Sequence, residues 1–228
     1  MFKIKRLYRE NYAGEEVLSK LTYEGGQWNE EREWIMNQVS NTRLSSQAIV
    51  IGGGKSWQEG EYEFDMSHIK NHKGGILAAN KLQTYGTNQT YTKIMPDFLV
   101  VDNDCAEKAI QDGAVLDTIV YAHAKMIIEF PGRFYLIPQD PPWNAGTIAA
   151  YMACFDGHTK IFLMGFDGKQ GEDLFYEKSM LELFGMYPEV EFIRVSPTTG
   201  YYMPESWKYL PNVRQIDYRM FTLEADLG

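Results

Sequence analysis

The stretch Asn144-Ala145-Gly146-Thr147-Ile148-Ala149-Ala150-Tyr151-Met152-Ala153-Cys154-Phe155-Asp156-Gly157, with Thr159-Lys160-Ile161-Phe162-Leu163-Met164-Gly165-Phe166-Asp167 directly behind it, decides the fold. Asn144 has the side chain of a helix N-cap, an oxygen that accepts a first-turn amide hydrogen. Apolar residues then surround the helix from Ile148 to Phe155, and Gly157 offers a left-handed exit. Such a helix is buried on more than one face. The apolar run behind it, ending in Gly-Phe-Asp, reads as a strand covered on both sides of a parallel sheet. Together they make half of a βαβ unit. The small residues Ala145, Gly146 and Thr147 leave the amides of the first helical turn approachable by an anion.

Working outward, the strand pattern recurs, and each repeat ends in polar residues. Residues 47–51 run into Gly52-Gly53-Gly54-Lys55-Ser56-Trp57, 76–79 into Asn80, and 98–101 into Asp102-Asn103-Asp104. Residues 118–122 lead to His123, 134–137 to Gln139-Asp140, and 190–195 to Ser196. Helices are expected from 81–83 onward, over 104–111 and over 172–184. Right-handed crossovers then put helices on both faces of the sheet. The expected fold is α/β: a doubly wound, Rossmann-like, mainly parallel sheet in one domain, residues 47–228, with a small N-terminal addition. That addition, residues 1–46, reads as a hairpin of 2–8 with 18–23, then Gly25-Gly26 and a helix over 29–39, capping one sheet edge. The tail over 200–228 has no clean period and is expected to wrap back over the domain.

A chain of 228 residues, 44% hydrophobic and 23% charged, can bury a sizeable core. Its formal charge of −9, from 22 basic and 31 acidic residues, argues against a broad grip on a nucleic-acid backbone and leaves room for a local pocket for one phosphate. Cys105 and Cys154 lie far apart, the second inside the apolar helix, which suits a reducing compartment better than a disulfide framework. Met1-Phe2-Lys3-Ile4-Lys5-Arg6 is followed by no apolar leader, and no run approaches membrane-spanning length, so the expected location is the cytoplasm. No oligomeric state can be read.

In an open α/β sheet, ligands lie outside the carboxyl ends of the strands, so the polar residues there are the candidate site. Glycine lets backbone amides come close to phosphate or ribose. A Walker loop would need glycine where Ile49 stands, and the dinucleotide pattern would need it at Trp57, so the turn at Gly52 to Gly54 satisfies neither and can also be a tight turn without a ligand. His123 and Asp140 are candidate bases, each with a structural alternative: a rim hydrogen bond for the histidine, a turn for the aspartate. His68, His72 and His158 read as peripheral. Asp102 and Asp104 could share a Mg²⁺ ion against a diphosphate, or Asp104 could cap the helix over 104–111. Tyr121, Trp143, Tyr176 and Tyr201 could stack on a base or sugar, or serve the core. Lys55 and Lys125 could neutralise phosphate, or be solvated surface.

Ile49-Val50-Ile51-Gly52-Gly53-Gly54-Lys55-Ser56, Ala79-Asn80, Pro96-Asp97-Phe98-Leu99-Val100-Val101-Asp102 and the span from Gly146-Thr147 to Gly165-Phe166-Asp167 together resemble the family joining motility-associated flagellin glycosyltransferases to archaeal MptE-like 6-hydroxymethylpterin pyrophosphokinases. The pattern is similar to that of bacterial sialyltransferases using CMP-activated sugars, and it extends to phage-encoded members of the family. This resemblance implies a nucleotide-sugar-dependent transferase. Gly52, Gly53, Gly54 and Ser56 would hold the donor nucleotide and Asn80 would touch it. Ala145-Gly146 replaces a Ser-Gly pair, with Thr147 supplying a hydroxyl, and Asp102 and Asp167 complete the rim. The histidine that acts as base in the sialyltransferases has no counterpart after His158, which leaves His123 and Asp140 for that role. The other branch of the family implies Mg²⁺-dependent pyrophosphate transfer to a pterin-like alcohol with the metal on Asp102 and Asp104. A non-catalytic nucleotide-binding descendant is the third reading.

Overall fold

The computed structural model of the protein describes residues 2–9, 15–36, 47–58, 63–72, 82–167 and 174–227. It opens with three antiparallel strands, β1 (Phe2–Arg9), β2 (Glu15–Glu24) and β3 (Gln27–Met36). The expected hairpin forms, with Phe2 opposite Tyr23 and Tyr8 opposite Val17. The helix expected over 29–39 does not form over 29–36: those residues belong to β3, and 37–39 lie outside the described residues. The reason is the turn. Gly25 and Gly26 both take positive φ (61° and 81°), the two-residue hairpin geometry whose twist suits flanking strands, so the chain folds straight back and Trp28 pairs with Tyr23.

The remaining described strands form one parallel sheet: β4 (Gln47–Ile51), β5 (Gln83–Thr87), β6 (Phe98–Val100), β7 (Ile119–Ala122), β8 (Tyr135–Leu136), β9 (Lys160–Met164), β10 (Glu191–Ser196) and β11 (Val213–Asp217). Their order across the sheet is β11-β10-β9-β4-β5-β6-β7-β8. The helices are α1 (Ser67–His72), α2 (Asn103–Gln111), α3 (Ala114–Asp117), α4 (Ala124–Glu129), α5 (Ala145–Phe155), α6 (Leu174–Met186), α7 (Glu205–Lys208) and α8 (Tyr218–Glu224). The fold is α/β, doubly wound and Rossmann-like.

Both faces of the central strands are covered, which is why they read as unbroken apolar runs. Val50, Tyr85, Leu163 and Phe192 face α5, while Ile49, Ile51, Phe162, Met164 and Ile193 face Ile69 of α1 and Phe221 of α8. α5 is the buried helix its sequence announces: Asn144 Oδ1 accepts from Thr147 N at 3.0 Å, every residue but Gly146 is buried, and Gly157 exits at φ 77°.

Elements beyond β3 also escaped the sequence, β5 and β11 among them. The helix expected to open at 81–83 does not form over 82–83, where Gln83 begins β5; residue 81 and the strand expected at 76–79 lie outside the described residues. β5 reads Gln-Thr-Tyr-Gly-Thr, yet all five residues are buried; Asp97 Oδ2 accepts from both the amide and the hydroxyl of Thr84 at 3.0 Å, and the Thr87 hydroxyl donates to Ile51 O at 3.1 Å. The tail does not merely wrap back; it adds β11 to the sheet edge and packs α8 beside it, with Asp217 Oδ1 accepting from Met220 N at 2.9 Å. Arg214 of β11 then pairs with Glu224 at 2.6 Å and Glu191 at 2.7 Å.

Candidate functional site

From β4 the chain lays β5 to β8 successively to one side, then returns to lay β9, β10 and β11 on the other. The sheet therefore changes direction between β4 and β9. Crossovers leaving those two carboxyl ends diverge, and the crevice between them is where such folds bind ligands.

One wall of the crevice is the Gly52–Ser56 turn. It is bolted to the turn after β9: Gly52 N donates to Met164 O at 2.8 Å and Gly54 N to Gly165 O at 2.9 Å. Ser56 N donates to Asp167 Oδ2 at 2.8 Å and its hydroxyl to Asp167 Oδ1. The glycines at 52 and 54 serve this contact, since a Cβ at Gly52 would sit 2.7 Å from Gly165 O and one at Gly54 only 2.5 Å from Asp167 Oδ2. Gly165, at φ 73°, answers from the other side, where a Cβ would lie 2.6 Å from Gly52 O. Gly53 is different. It is exposed, with no atom within 4 Å of where its Cβ would be. Asn80 lies outside the described residues.

The second wall is the start of α5. Asp102, at the end of β6, accepts from Ala145 N at 3.0 Å with one oxygen and from Asn88 Nδ2 at 2.9 Å with the other. Asn88, held at φ 49°, in turn accepts at its Oδ1 from Asp102 N at 2.8 Å. Thr147 N goes to Asn144, so Gly146 carries the amide of the first turn that meets no acceptor among the described residues. Both Asp102 oxygens are thus occupied by protein donors. Asp102 itself stands at the N-cap position of α2 and Asp104 lies in its first turn, rather than Asp104 being the cap. Among the described residues no group of three or more His, Cys, Asp or Glu side chains could hold a metal ion.

Next along the same edge, the structure joins the two candidate bases. His123 Nδ1 lies 2.6 Å from Asp140 Oδ1, and Asp140 Oδ2 accepts from Ala124 N at 3.2 Å. Gln139 and Asp140 both take positive φ (58° and 45°), a conformation that costs energy outside glycine and turns the carboxylate onto the histidine. The hydrogen bond to Asp140 holds the His123 pKa above its ordinary value against the opposing effect of burial, and the charges of Asp140 and Asp102 and a bond to the Trp143 backbone act with it. An imidazole oriented by a carboxylate has the geometry of a general base or acid.

Arg194 was not singled out by the sequence. Its signal is a charge at the centre of an apolar strand. The side chain, 1% exposed, reaches under the β9 turn, where Nε donates to Phe166 O at 3.0 Å, Nη2 to Asp167 O at 3.2 Å and Nη1 to Gln215 Oε1. The Tyr201 ring lies 5.6 Å from the guanidinium carbon, and burial pushes the Arg194 pKa down. Beside the glycine turn, Trp57, Gln58, Phe64, Met66 and Lys93 help to line a cavity of about 480 Å³.

The other sequence candidates lie elsewhere. His158 is not peripheral: it is fully buried, its Nε2 3.1 Å from the Tyr85 hydroxyl, which donates to Asp156 at 2.7 Å. His68 meets Leu227 O at 3.4 Å. Tyr121 packs between the Phe98 and Tyr135 rings, Tyr176 between Phe166 and Trp207, and Trp143 Nε1 donates to Glu182 at 3.1 Å. Lys55 and Lys125 are exposed, and both cysteines are free. Among the described residues no helix is long and apolar enough to cross a membrane.

No protein-family model and no curated protein matches the sequence. Among solved structures, the chain is similar to the sialyltransferase CstII from Campylobacter jejuni in complex with a substrate analogue, cytidine-5'-monophosphate, at 14% identity and a TM-score of 0.39, over 65% of this chain and 78% of that one.

Proposed function

We propose that the chain is a nucleotide-sugar-dependent glycosyltransferase of sialyltransferase-like type, working without a metal. The observation that carries this reading is the His123–Asp140 pair at 2.6 Å, on the same sheet edge as the glycine turn and the first turn of α5. The nucleotide lies across the β4 and β9 ends, over Gly53 and against the Gly146 amide. His123 takes the proton of the acceptor hydroxyl as its oxygen bonds the sugar carbon. The bond from that carbon to the donor phosphate breaks, its electron pair leaves with the phosphate, and Asp140 stabilises the imidazolium. The engagement of both Asp102 oxygens counts against the metal-dependent pyrophosphokinase reading. The sequence resemblance to CMP-sugar transferases supports a cytidine donor.

The test is thermal-shift screening against CMP, CDP, UDP, ADP and ATP, each with and without Mg²⁺, followed by release of CMP from a CMP-sugar. A ligand that binds only the folded state raises its stability. A CMP shift that needs no metal, with turnover falling about 10²-fold or more in His123→Ala, supports the proposal. An ATP shift that requires Mg²⁺, or turnover untouched by His123→Ala, refutes it.

A further inference from the structure

β6 and β7 are neighbours in the sheet, with Val100 opposite Tyr121 and Val101 N donating to Tyr121 O at 3.0 Å. Counted on in that register, Asp102 stands opposite His123, the two backbones separated by the spacing of adjacent strands, about 5 Å. The two residues also occupy the same local place. Each is the N-cap of the helix that follows its strand, α2 for Asp102 and α4 for His123, and neither side chain caps its own helix. Their backbones nearly match, φ −71° and ψ 161° against φ −63° and ψ 156°. Matching backbones in parallel register send both side chains off the carboxyl edge in the same direction, side by side. Each is then held by other parts of the chain. Asp140 holds His123, while Asp102 accepts from Ala145 N with one oxygen and from Asn88 Nδ2 with the other. Asn88 accepts in turn from Asp102 N, so three bonds fix the place of this carboxylate. The segment from Asp140 to Ala145 thus runs from the partner of His123 to the partner of Asp102.

We propose that Asp102 is a positioning residue for the base: it anchors the head of α5 and presents a second carboxylate, beside Asp140, to the imidazole that receives the acceptor proton. This rests on the reading of His123 as the base of a transferase. When the imidazole takes the proton, a positive charge appears beside two fixed acids, and at the range of adjacent strand ends that attraction is stronger in a part-buried site than in water. Asp140 orients the ring through its hydrogen bond; Asp102 acts through its charge, its oxygens being engaged with Ala145 and Asn88. The acids acting on His123 are Asp140 from the turn after β8 and Asp102 from the end of β6, and both favour the imidazolium against burial. Further charged side chains of the surrounding elements, Asp104 of α2, Lys125 and Glu129 of α4 and Glu182 of α6, are exposed. One carboxylate therefore ties the first turn of α5, where the nucleotide lies in this reading, to the group that moves the proton.

The experiment follows the His123 ring by NMR titration in the wild-type chain, Asp102→Asn, Asp140→Asn and Asn88→Gly, with His123→Ala assigning the signal among the four histidines. Asp102→Asn keeps an acceptor for Ala145 N and removes the charge. Asn88→Gly suits the positive φ of that position and removes a hydrogen bond while leaving the charge. Loss of an acid that favours the imidazolium lowers the midpoint. The expected result is a His123 midpoint that moves to lower pH in Asp102→Asn, moves further in Asp140→Asn and stays in place in Asn88→Gly. Release of CMP from a CMP-sugar should follow it: in Asp102→Asn the acid limb of the pH–rate profile moves to lower pH and the plateau falls. An unmoved midpoint in Asp102→Asn, an equal displacement in Asn88→Gly, or an acid limb that stays while the midpoint moves overturns the proposal. An equal loss of rate at every pH with a lower Tm assigns Asp102 to structure alone. A midpoint that moves as expected, with no turnover and no CMP binding, upholds the pairing of Asp102 with His123 and removes the transferase reading. If Asp102→Asn fails to fold, Asp102→Ser, a neutral side chain that is itself a good N-cap, takes its place and the same outcomes decide.

Discussion

Gly54→Ala separates a turn held open for a ligand from a turn clamped against the neighbouring strand. The added Cβ would fall against Gly165 O and within 2.5 Å of Asp167 Oδ2. The carbonyl cannot swing aside cheaply, because Gly165 O already accepts from Gly54 N at 2.9 Å. The φ of Gly54 is outside the left-handed region, so the cost is steric rather than conformational. Overpacking of this kind costs about 1–3 kcal/mol, and loss of the bond that Ser56 donates to the Asp167 carboxylate adds about 1.5–3 kcal/mol. A total of about 3–5 kcal/mol corresponds to a Tm lower by roughly 6–20 °C in a chain of this length. Gly53→Ala, with open space around its Cβ, should stay within about 0.5 kcal/mol of wild type. The assay is thermal and urea unfolding of both variants by circular dichroism. A Gly54→Ala protein as stable as wild type, or a Gly53→Ala protein equally damaged, would refute the clamp.

The His123–Asp140 pair makes a signed prediction about pH. A histidine whose folded pKa lies above the unfolded value of about 6.5 adds stability that is full below that pH and fades as pH rises through the folded pKa. Asp140→Asn should therefore lose most relative to wild type in acid and least in alkali, and a Tm difference that is flat or grows from pH 5.5 to 8.5 would disprove the pairing. Glu224 runs the other way. Arg214 bonds, helped by Lys160, lower its pKa to about 2, so its contribution is full above about 4.5 and is lost as pH falls from there through about 2. Glu224→Gln should cost about 1 kcal/mol at pH 7, given the screening at a partly exposed edge, and nothing near pH 2 in stability measurements that hold ionic strength constant. Asn144→Ala removes the bond from Thr147 N at 3.0 Å and should destabilise the protein by about 1 kcal/mol in denaturant titrations; an unchanged midpoint would mean that burial of α5 alone fixes its start.

Legibility followed the kind of signal each segment carries. α5 and β9 could be read because burial on all sides leaves a composition that nothing else explains, and a cap and a glycine marked the ends. β3 could not, because acids and an arginine at strand positions imitate a charged helix start, and only pairing with ten residues of β2 overrides that. β5 and β11 were hidden for related reasons. In β5 polar side chains are buried where distant groups satisfy them: Asp97, 13 residues downstream, takes the Thr84 hydroxyl, and Ile51 O, 36 residues upstream, takes that of Thr87. In β11 an edge position leaves Arg214, Gln215 and Asp217 only partly buried, so no continuous apolar run appears. Individual site residues were visible as polar residues at strand ends, and His123 and Asp140 were both named as bases, but their partnership was not, since the left-handed backbone that turns Asp140 onto the histidine leaves no mark in composition.

The order of apolar runs and glycines by itself determined a parallel α/β sheet with its polar residues gathered at the carboxyl edge, because burial on two faces and tight turns constrain local composition directly. What occupies each donor at that edge was decided only in three dimensions. Ser56 meets Asp167 across 111 residues of chain, Ala145 meets Asp102 across 43, and Arg194 comes to rest under carbonyls 28 and 27 residues before it. Such pairings follow from which strands the sheet sets side by side, and a linear pattern records the strands but not their neighbours.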